Sequence, residues 1–205
     1  MRLNELERTL EGVEGFSTPS SLLEQYKTPA PLAARLLYHA SLRGDISGKR
    51  VCDLGCGTGI LSIGAVLLGA ASATGIEADH KALAIARRNA ENFGTFITFL
   101  AGDLSDPGLV AGIGIFDTVV MNPPFGAQKA HADRPFIDAG LVLAPVIYGI
   151  FNAGSRHFLE RYLEGRGVIE EIIGGLLPIR RSFSFHRKDV REIPVEIMVI
   201  RRDRP

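Results

Sequence analysis

Three features of the sequence predict an α/β fold, a seven-stranded, mostly parallel sheet with helices on both faces and a C-terminal antiparallel hairpin. From Lys49 onward short β-rich runs alternate with helical segments, the pattern of parallel strands joined by crossover helices. The first of these strands runs directly into a turn of three glycines and then an apolar helix. The last two strand-like runs are joined by a basic segment, so a closing hairpin is the economical arrangement. With 205 residues, 46% of them apolar and 22% charged, the chain fits one domain with a single core.

In order, Leu3, Leu6 and Leu10 recur at helical spacing and give a short lead helix ending at Gly12 or Gly15, followed by an irregular stretch over 16–21. Pro29 and Pro31 sit where a helix's first turn accepts proline, and 33–42 carry that helix onward with Thr28 as the expected N-cap. Strand 50–54 leads through Gly55-Cys56-Gly57-Thr58-Gly59 into helix 60–68. Strand 73–77, helix 81–92, strand 96–100 and strand 117–121 follow. After Asn122-Pro123-Pro124-Phe125-Gly126 a polar loop reaches Arg134, then helix 135–143, a fifth strand at 146–151 and helix 155–163. Runs 168–177 and 195–200 complete the seven strands. The expected organisation is one domain over 1–205, with 1–44 a helical segment and lid and 45–205 the core.

The 23 basic and 23 acidic residues cancel, so contact with nucleic acid must rest on locally concentrated charge. Cys52 and Cys56 have no partners that would complete a zinc site and read as reduced and buried, so no metal is expected. The opening residues are polar and helical rather than a charged stretch followed by an apolar run, and no segment reaches membrane-spanning length. A soluble, cytoplasmic protein is expected.

Glycines at 55, 57 and 59 let backbone approach a ligand where any Cβ would collide. A dinucleotide fold would want glycine at the sixth position of the turn, which here is Ile60, to seat a pyrophosphate on the helix N-terminus. Asp53 just before the turn is also awkward for a pyrophosphate but suits the cationic methionine end of S-adenosylmethionine. Glu77 closes the second strand, where a carboxylate can accept both ribose hydroxyls. Asp103 follows the third, placed to accept from the cofactor's adenine amine with Leu104 packed beside it.

Asn122-Pro123-Pro124-Phe125 opens the same crevice after the fourth strand. An adenine N6 is a poor nucleophile because its lone pair is delocalised into the ring; accepting hydrogen bonds from both amine hydrogens favours a pyramidal, reactive nitrogen. Asn122 can supply a side-chain oxygen and Pro123 a backbone carbonyl, while Pro123 and Pro124 add no competing N–H. Phe125 offers a face for stacking an extruded base, worth roughly 1–3 kcal/mol.

These residues make the chain resemble the Asn-Pro-Pro-Tyr/Phe class of amino-methyltransferases, a Rossmann-like class I fold, and more narrowly the methyltransferase-like protein five family of archaeal and eukaryotic ribosomal RNA N6-adenine methyltransferases. The resemblance covers almost the whole chain. It is carried by Leu23-Glu-Gln-Tyr-Lys-Thr28, Asp53-Leu-Gly-Cys-Gly-Thr-Gly-Ile-Leu-Ser-Ile-Gly64, Met121-Asn-Pro-Pro-Phe-Gly126 and Phe185-His-Arg-Lys188. Lys27 departs from it, standing where the family usually has proline. The resemblance implies that Gln25, Tyr26 and Thr28 close over the methionine end of the cofactor and that Phe185 and His186 wall the acceptor pocket. Arg180, Arg181, Arg187, Lys188 and Arg191 suit an RNA backbone channel, with Lys129, His131 and Arg134 as the facing lip. The class's strand order, 3-2-1-4-5-7-6, makes the strand from Phe96 to Leu100 an edge. There the family implies a small zinc-ribbon activator subunit, and the apolar, uncharged edge suits strand addition.

The motif alone leaves the acceptor open. Besides N6 of an adenosine in small-subunit ribosomal RNA, guanine N2, a DNA adenine or a protein glutamine uses the same chemistry. A non-catalytic RNA-binding or assembly module is the alternative of a different class.

Overall fold

The computed structural model describes residues 1–20, 24–126, 128–180 and 190–203, with the backbone alone at 178–180 and 190–191. Two helices come first, α1 (Leu3–Glu11) and α2 (Ala30–Leu42). The alternating core follows as β1 (Arg50–Leu54), α3 (Ile60–Leu67), β2 (Ser72–Glu77), α4 (His80–Asn92), β3 (Thr98–Ala101), α5 (Pro107–Gly112) and β4 (Thr118–Met121). It continues through α6 (Arg134–Leu143), β5 (Val146–Asn152) and α7 (Arg156–Tyr162) to the hairpin β6 (Gly167–Arg180) and β7 (Val190–Arg202).

The seven strands form one sheet in the order β3-β2-β1-β4-β5-β7-β6, the order and count expected from the sequence. Strands β1 to β5 pair in parallel, whereas β7 runs antiparallel to both β5 and β6. Period-two alternation sends Val146, Tyr148 and Ile150 of β5 to a core shared with α1, α2 and α3. Ile147 and Phe151 go to the opposite core, shared with α6 and α7. Because both faces are covered, the central strands are apolar on both sides, and β4 is buried throughout. Close approach is built in where α3 meets α2: a Cβ on Gly64 would lie 2.4 Å from Leu37.

Several boundaries differ from expectation. Pro29, not Thr28, is the N-cap of α2; it is extended and makes no side-chain cap, and the Thr28 hydroxyl is engaged elsewhere. Strand β3 begins at Thr98 rather than Phe96, because only residues 98–101 find register partners on β2. Phe96 is left 95% exposed. Helix α5 has no counterpart among the elements expected from the sequence, although Asp106 accepts from Gly108 N at 2.8 Å and Pro107 opens the helix. Six residues with Val110 alone buried leave too little periodicity to see. The hairpin runs past its apolar stretch, since backbone pairing needs no apolar side chain.

Candidate active site

A cleft of about 310 Å³ opens beyond the C-terminal ends of β1, β2 and β4, near the lower limit of the size common for small-molecule sites. Its floor is the β1–α3 turn, where Gly55, Gly57 and Gly59 hold φ values of +68°, +53° and +90°. A Cβ on Gly55 would stand 2.6 Å from the Phe136 ring, and one on Gly57 2.9 Å from the Phe16 ring. Conformation and space both demand glycine there. Phe16 and Phe136 line the same cleft. Neither was legible in the sequence: Phe16 lies in an irregular stretch, and Phe136 follows a helix-opening proline like any core aromatic.

Asp53 is 1% exposed and ends in the turn's floor. Its Oδ2 accepts from the Ser62 backbone N–H (2.9 Å) and hydroxyl (2.6 Å), both from the first turn of α3. Oδ1 is buried and has no hydrogen-bond partner among the described residues. Burial pushes the carboxyl up to about 7, against the opposing pull of the two Ser62 bonds. An acceptor in this state asks for a donor, best a cation, arriving from the cleft.

Glu77 stands one strand over. Its Oε2 accepts from Gly57 N and its Oε1 from Asp79 N, each at 3.0 Å, so one side chain fixes the glycine turn and the end of β2 together. Burial raises its pKa, and those backbone N–H groups partly offset the rise. Each oxygen keeps lone-pair capacity for a hydroxyl donor. Asp103 is held below the usual carboxylate range by the Ser105 N–H and hydroxyl, both 2.8 Å from Oδ1. Leu104 beside it is buried.

The loop from Asn122 to Gly126 enters the cleft from the end of β4, the neighbour of β1. Asn122 Nδ2 donates one of its two hydrogens to Thr28 Oγ1 at 2.9 Å, which anchors the amide and leaves its oxygen as the acceptor it can offer a ligand. Pro123, Pro124 and Phe125 line the cleft, with Phe125 half-buried and also packed against the α2-side core. Residues 24–28 line the cleft next to that loop and are bonded to it. Both ends of the Gln25 amide are engaged, Oε1 by Ser20 N and Nε2 by Asp79 Oδ2, each at 2.8 Å. Tyr26 and Thr28 line the cleft beside it. Lys27 Nζ donates to Val13 O at 2.5 Å, so the lysine ties this segment to the end of α1 by a long side chain rather than a ring.

Lys129 and His131 reach the cleft's rim. Arg134 does not join them. Its guanidinium lies over the rings of Phe158 and Tyr162, 5.5 and 5.2 Å from their centroids, because helix α6 begins at this residue and turns it toward α7. Residues Arg181, Phe185, His186, Arg187 and Lys188, and the side chains of Arg180 and Arg191, lie outside the described residues. Glu24 is the clearest omission of the sequence reading; its carboxylate accepts from Phe125 N and Gln128 N, both at 2.8 Å. It stands inside the Leu23-to-Thr28 motif, but nothing local tells which loop so distant a carboxylate will grip.

The residues present fit S-adenosylmethionine. The orphaned Asp53 oxygen asks for a cationic donor, the glycine cradle admits a close-lying ligand, and Glu77 and Asp103 stand at successive strand ends. Residues 32–143 match the family model described as the methyltransferase small domain. The rRNA N(6)-adenosine-methyltransferase METTL5 of Danio rerio is 36% identical over 97% of this chain and 98% of its own length. Its Drosophila melanogaster counterpart is 36% identical, over 96% of this chain and 94% of its own. Among solved structures, the PH1948 protein of Pyrococcus horikoshii is 38% identical and superposes with a TM-score of 0.90 over 98% of both chains.

Proposed function

This chain belongs to the METTL5 family of methyltransferases, within the methyltransferase small domain class, and from that membership we infer that it transfers a methyl group to N6 of an adenosine in small-subunit ribosomal RNA. S-adenosylmethionine is its cofactor and supplies an electrophilic methyl group when bound. The observation that carries the acceptor assignment is the Asn122 amide, anchored by the bond from its nitrogen to Thr28, with its oxygen as the acceptor for a donor in the cleft. That oxygen and the Pro123 carbonyl accept the two amine hydrogens, localising the nitrogen lone pair for attack. The proton on the methylated nitrogen then leaves to water. Placement and hydrogen bonding lower the barrier, and no general base is needed.

In this reading Asp53 faces the ammonium end of the cofactor, Glu77 its ribose hydroxyls, and Asp103 with Leu104 its adenine. Gly55 and Gly57 allow the close approach, and Gln25, Tyr26 and Thr28 form the lid. Phe125 stacks the extruded base, with Lys129 and His131 at the rim. Arg180, Arg181, Phe185, His186, Arg187 and Lys188 meet the RNA. Residues 1–205 act as one domain with 1–44 its helical and lid portion. Among the described residues no helix is long and apolar enough to cross a membrane. The setting proposed is the cytoplasm, in keeping with free Cys52 and Cys56. The test is incubation of the protein with ribosomal RNA fragments and methyl donor, then nucleoside mass spectrometry. N6-methyladenosine is expected; methylguanosine, or label in protein glutamine only, would overturn the assignment.

The Asp53 carboxyl, at about 7 in the free protein, makes binding pH-dependent. A cationic ligand favours the ionised form, so binding releases a proton wherever the free carboxyl is protonated. Affinity for S-adenosylhomocysteine is therefore expected to fall by up to about tenfold per unit as the pH drops below 7. Calorimetry at pH 6 and 8 reads this, and Asp53→Asn flattens the slope.

The proposed protein partner is the zinc-ribbon activator, joined at the outer edge of β3. Phe96, 95% exposed just before that edge, supports this. Phe99, the other residue expected at this interface, is half-buried, and a Cβ on Gly75 would meet its ring at 2.9 Å, so it offers less to a partner than Phe96. Arg87 Nη2 donates to the Phe99 carbonyl at 3.3 Å and blunts part of the edge. Phe96→Lys is expected to separate the two proteins on size exclusion at micromolar concentration while leaving cofactor affinity unchanged. An intact complex would remove Phe96 from the interface.

A further inference from the structure

We propose that Glu24 is a positioning residue that latches the acceptor loop to the cofactor lid, so that the Asn122-to-Phe125 segment holds its reactive shape only while the lid is in place. The inference rests on the reading of Asn122 as the acceptor-side group and adds a residue to which that reading gives no task.

The acceptor loop is short of donors. Pro123 and Pro124 have no N–H, so after Asn122 the first backbone donor able to fix the loop's course is that of Phe125. Glu24 Oε2 takes it at 2.8 Å, and Oε1 takes the N–H of Gln128 at 2.8 Å. Between these two donors the chain turns at Gly126, with φ +79°. One carboxylate thus holds both sides of the turn that follows the two prolines, and with it the direction of the Pro123 carbonyl. The bonds are charge-assisted and join positions 101 and 104 residues apart in sequence.

Two more contacts make the latch a coupling device. Thr28, four residues on, holds the other end of the acceptor loop through Asn122. Gln25, the next residue, donates to Asp79, whose own N–H is bound by the Glu77 carboxylate. Residues 24–28 therefore touch the acceptor loop at two points and the strand end beside the glycine turn at a third. Glu24 itself sits at φ +50°, a conformation costly for any residue but glycine and kept only where surroundings over-determine it. The two carboxylate bonds and the Tyr26 N–H bond to the Glu24 carbonyl (2.9 Å) are that over-determination.

The test compares Glu24→Ala and Glu24→Gln with the wild-type chain. In Glu24→Gln the new side chain's amide oxygen can accept from one N–H, while its NH2 faces the other. Amide hydrogen exchange, which needs no RNA and no turnover, is expected to show the Phe125 and Gln128 amides exchanging at least about tenfold faster in Glu24→Ala, with protection of one of them kept in Glu24→Gln. At saturating cofactor and RNA, kcat is expected to fall about 100-fold in Glu24→Ala and about tenfold in Glu24→Gln, the scale of a displacement near 1 Å. S-adenosylhomocysteine affinity and the melting temperature stay near wild type. Unchanged exchange at both amides, or kcat within about threefold of wild type in Glu24→Ala, overturns the proposal. So does a loss of cofactor affinity as large as the loss of kcat, which would move Glu24 to the donor site. Failure of the wild-type chain to methylate adenosine would instead strike the functional reading and leave the exchange result standing.

Discussion

Asn122→Ala is expected to lower kcat by about 10³-fold while S-adenosylhomocysteine affinity stays within a few-fold of wild type. The asymmetry follows from where the side chain stands. Asn122 follows β4 and is bonded to Thr28, whereas the Asp53–Ser62 and Glu77–Gly57 bonds that shape the proposed donor side belong to β1, β2 and the glycine turn, and Asn122 has no part in them. In the proposed reading alanine removes the oxygen that accepts one amine hydrogen, and the N6 lone pair then remains delocalised in the ring. Single-turnover transfer from labelled cofactor, with calorimetry on the same preparation, separates the two quantities. Equal losses in both would place Asn122 against the cofactor instead of the acceptor.

Glu77→Ala is expected to show the reverse signature, with cofactor affinity weakened by about 100-fold and kcat at saturation largely kept. Two losses combine. The ribose hydroxyls lose their acceptor, and the amide of Gly57, bound by Oε2 at 3.0 Å, is left unpaired in a turn whose three glycines already sit at positive φ. Glu77→Gln keeps an acceptor oxygen and is expected to fall between alanine and wild type. Wild-type affinity in Glu77→Ala by calorimetry would remove the residue from the ribose site.

The alternation of strands and helices, the glycine turn and the acids at the strand ends were legible because each is a local pattern with a local cause, whereas the strand order came from the resemblance to the class. A β-rich run followed by glycine and an apolar helix can hardly be built otherwise. The acceptor motif was equally legible, since two prolines after an asparagine restrict the backbone whatever surrounds them. Less legible were features set by pairing. Phe96 reads as strand from its β propensity but falls outside β3 because β2 offers partners only for Thr98 to Ala101. Arg134 reads as a basic rim residue, yet the start of α6 turns it onto Phe158 and Tyr162.

By itself the sequence determined the strands, their crossovers and which polar residues stand at the strand ends, because hydrophobic period, glycine and proline act over a few residues. Only the tertiary structure decided what those groups do to one another. It left one oxygen of Asp53 buried and unpaired among the described residues, bonded the Asn122 nitrogen to Thr28, and set the Glu24 carboxylate against the Phe125 and Gln128 N–H groups. Each of these depends on atoms far apart in the chain meeting within hydrogen-bonding reach. Donor and acceptor partnership falls off steeply over tenths of an ångström, and residue order carries no such distance.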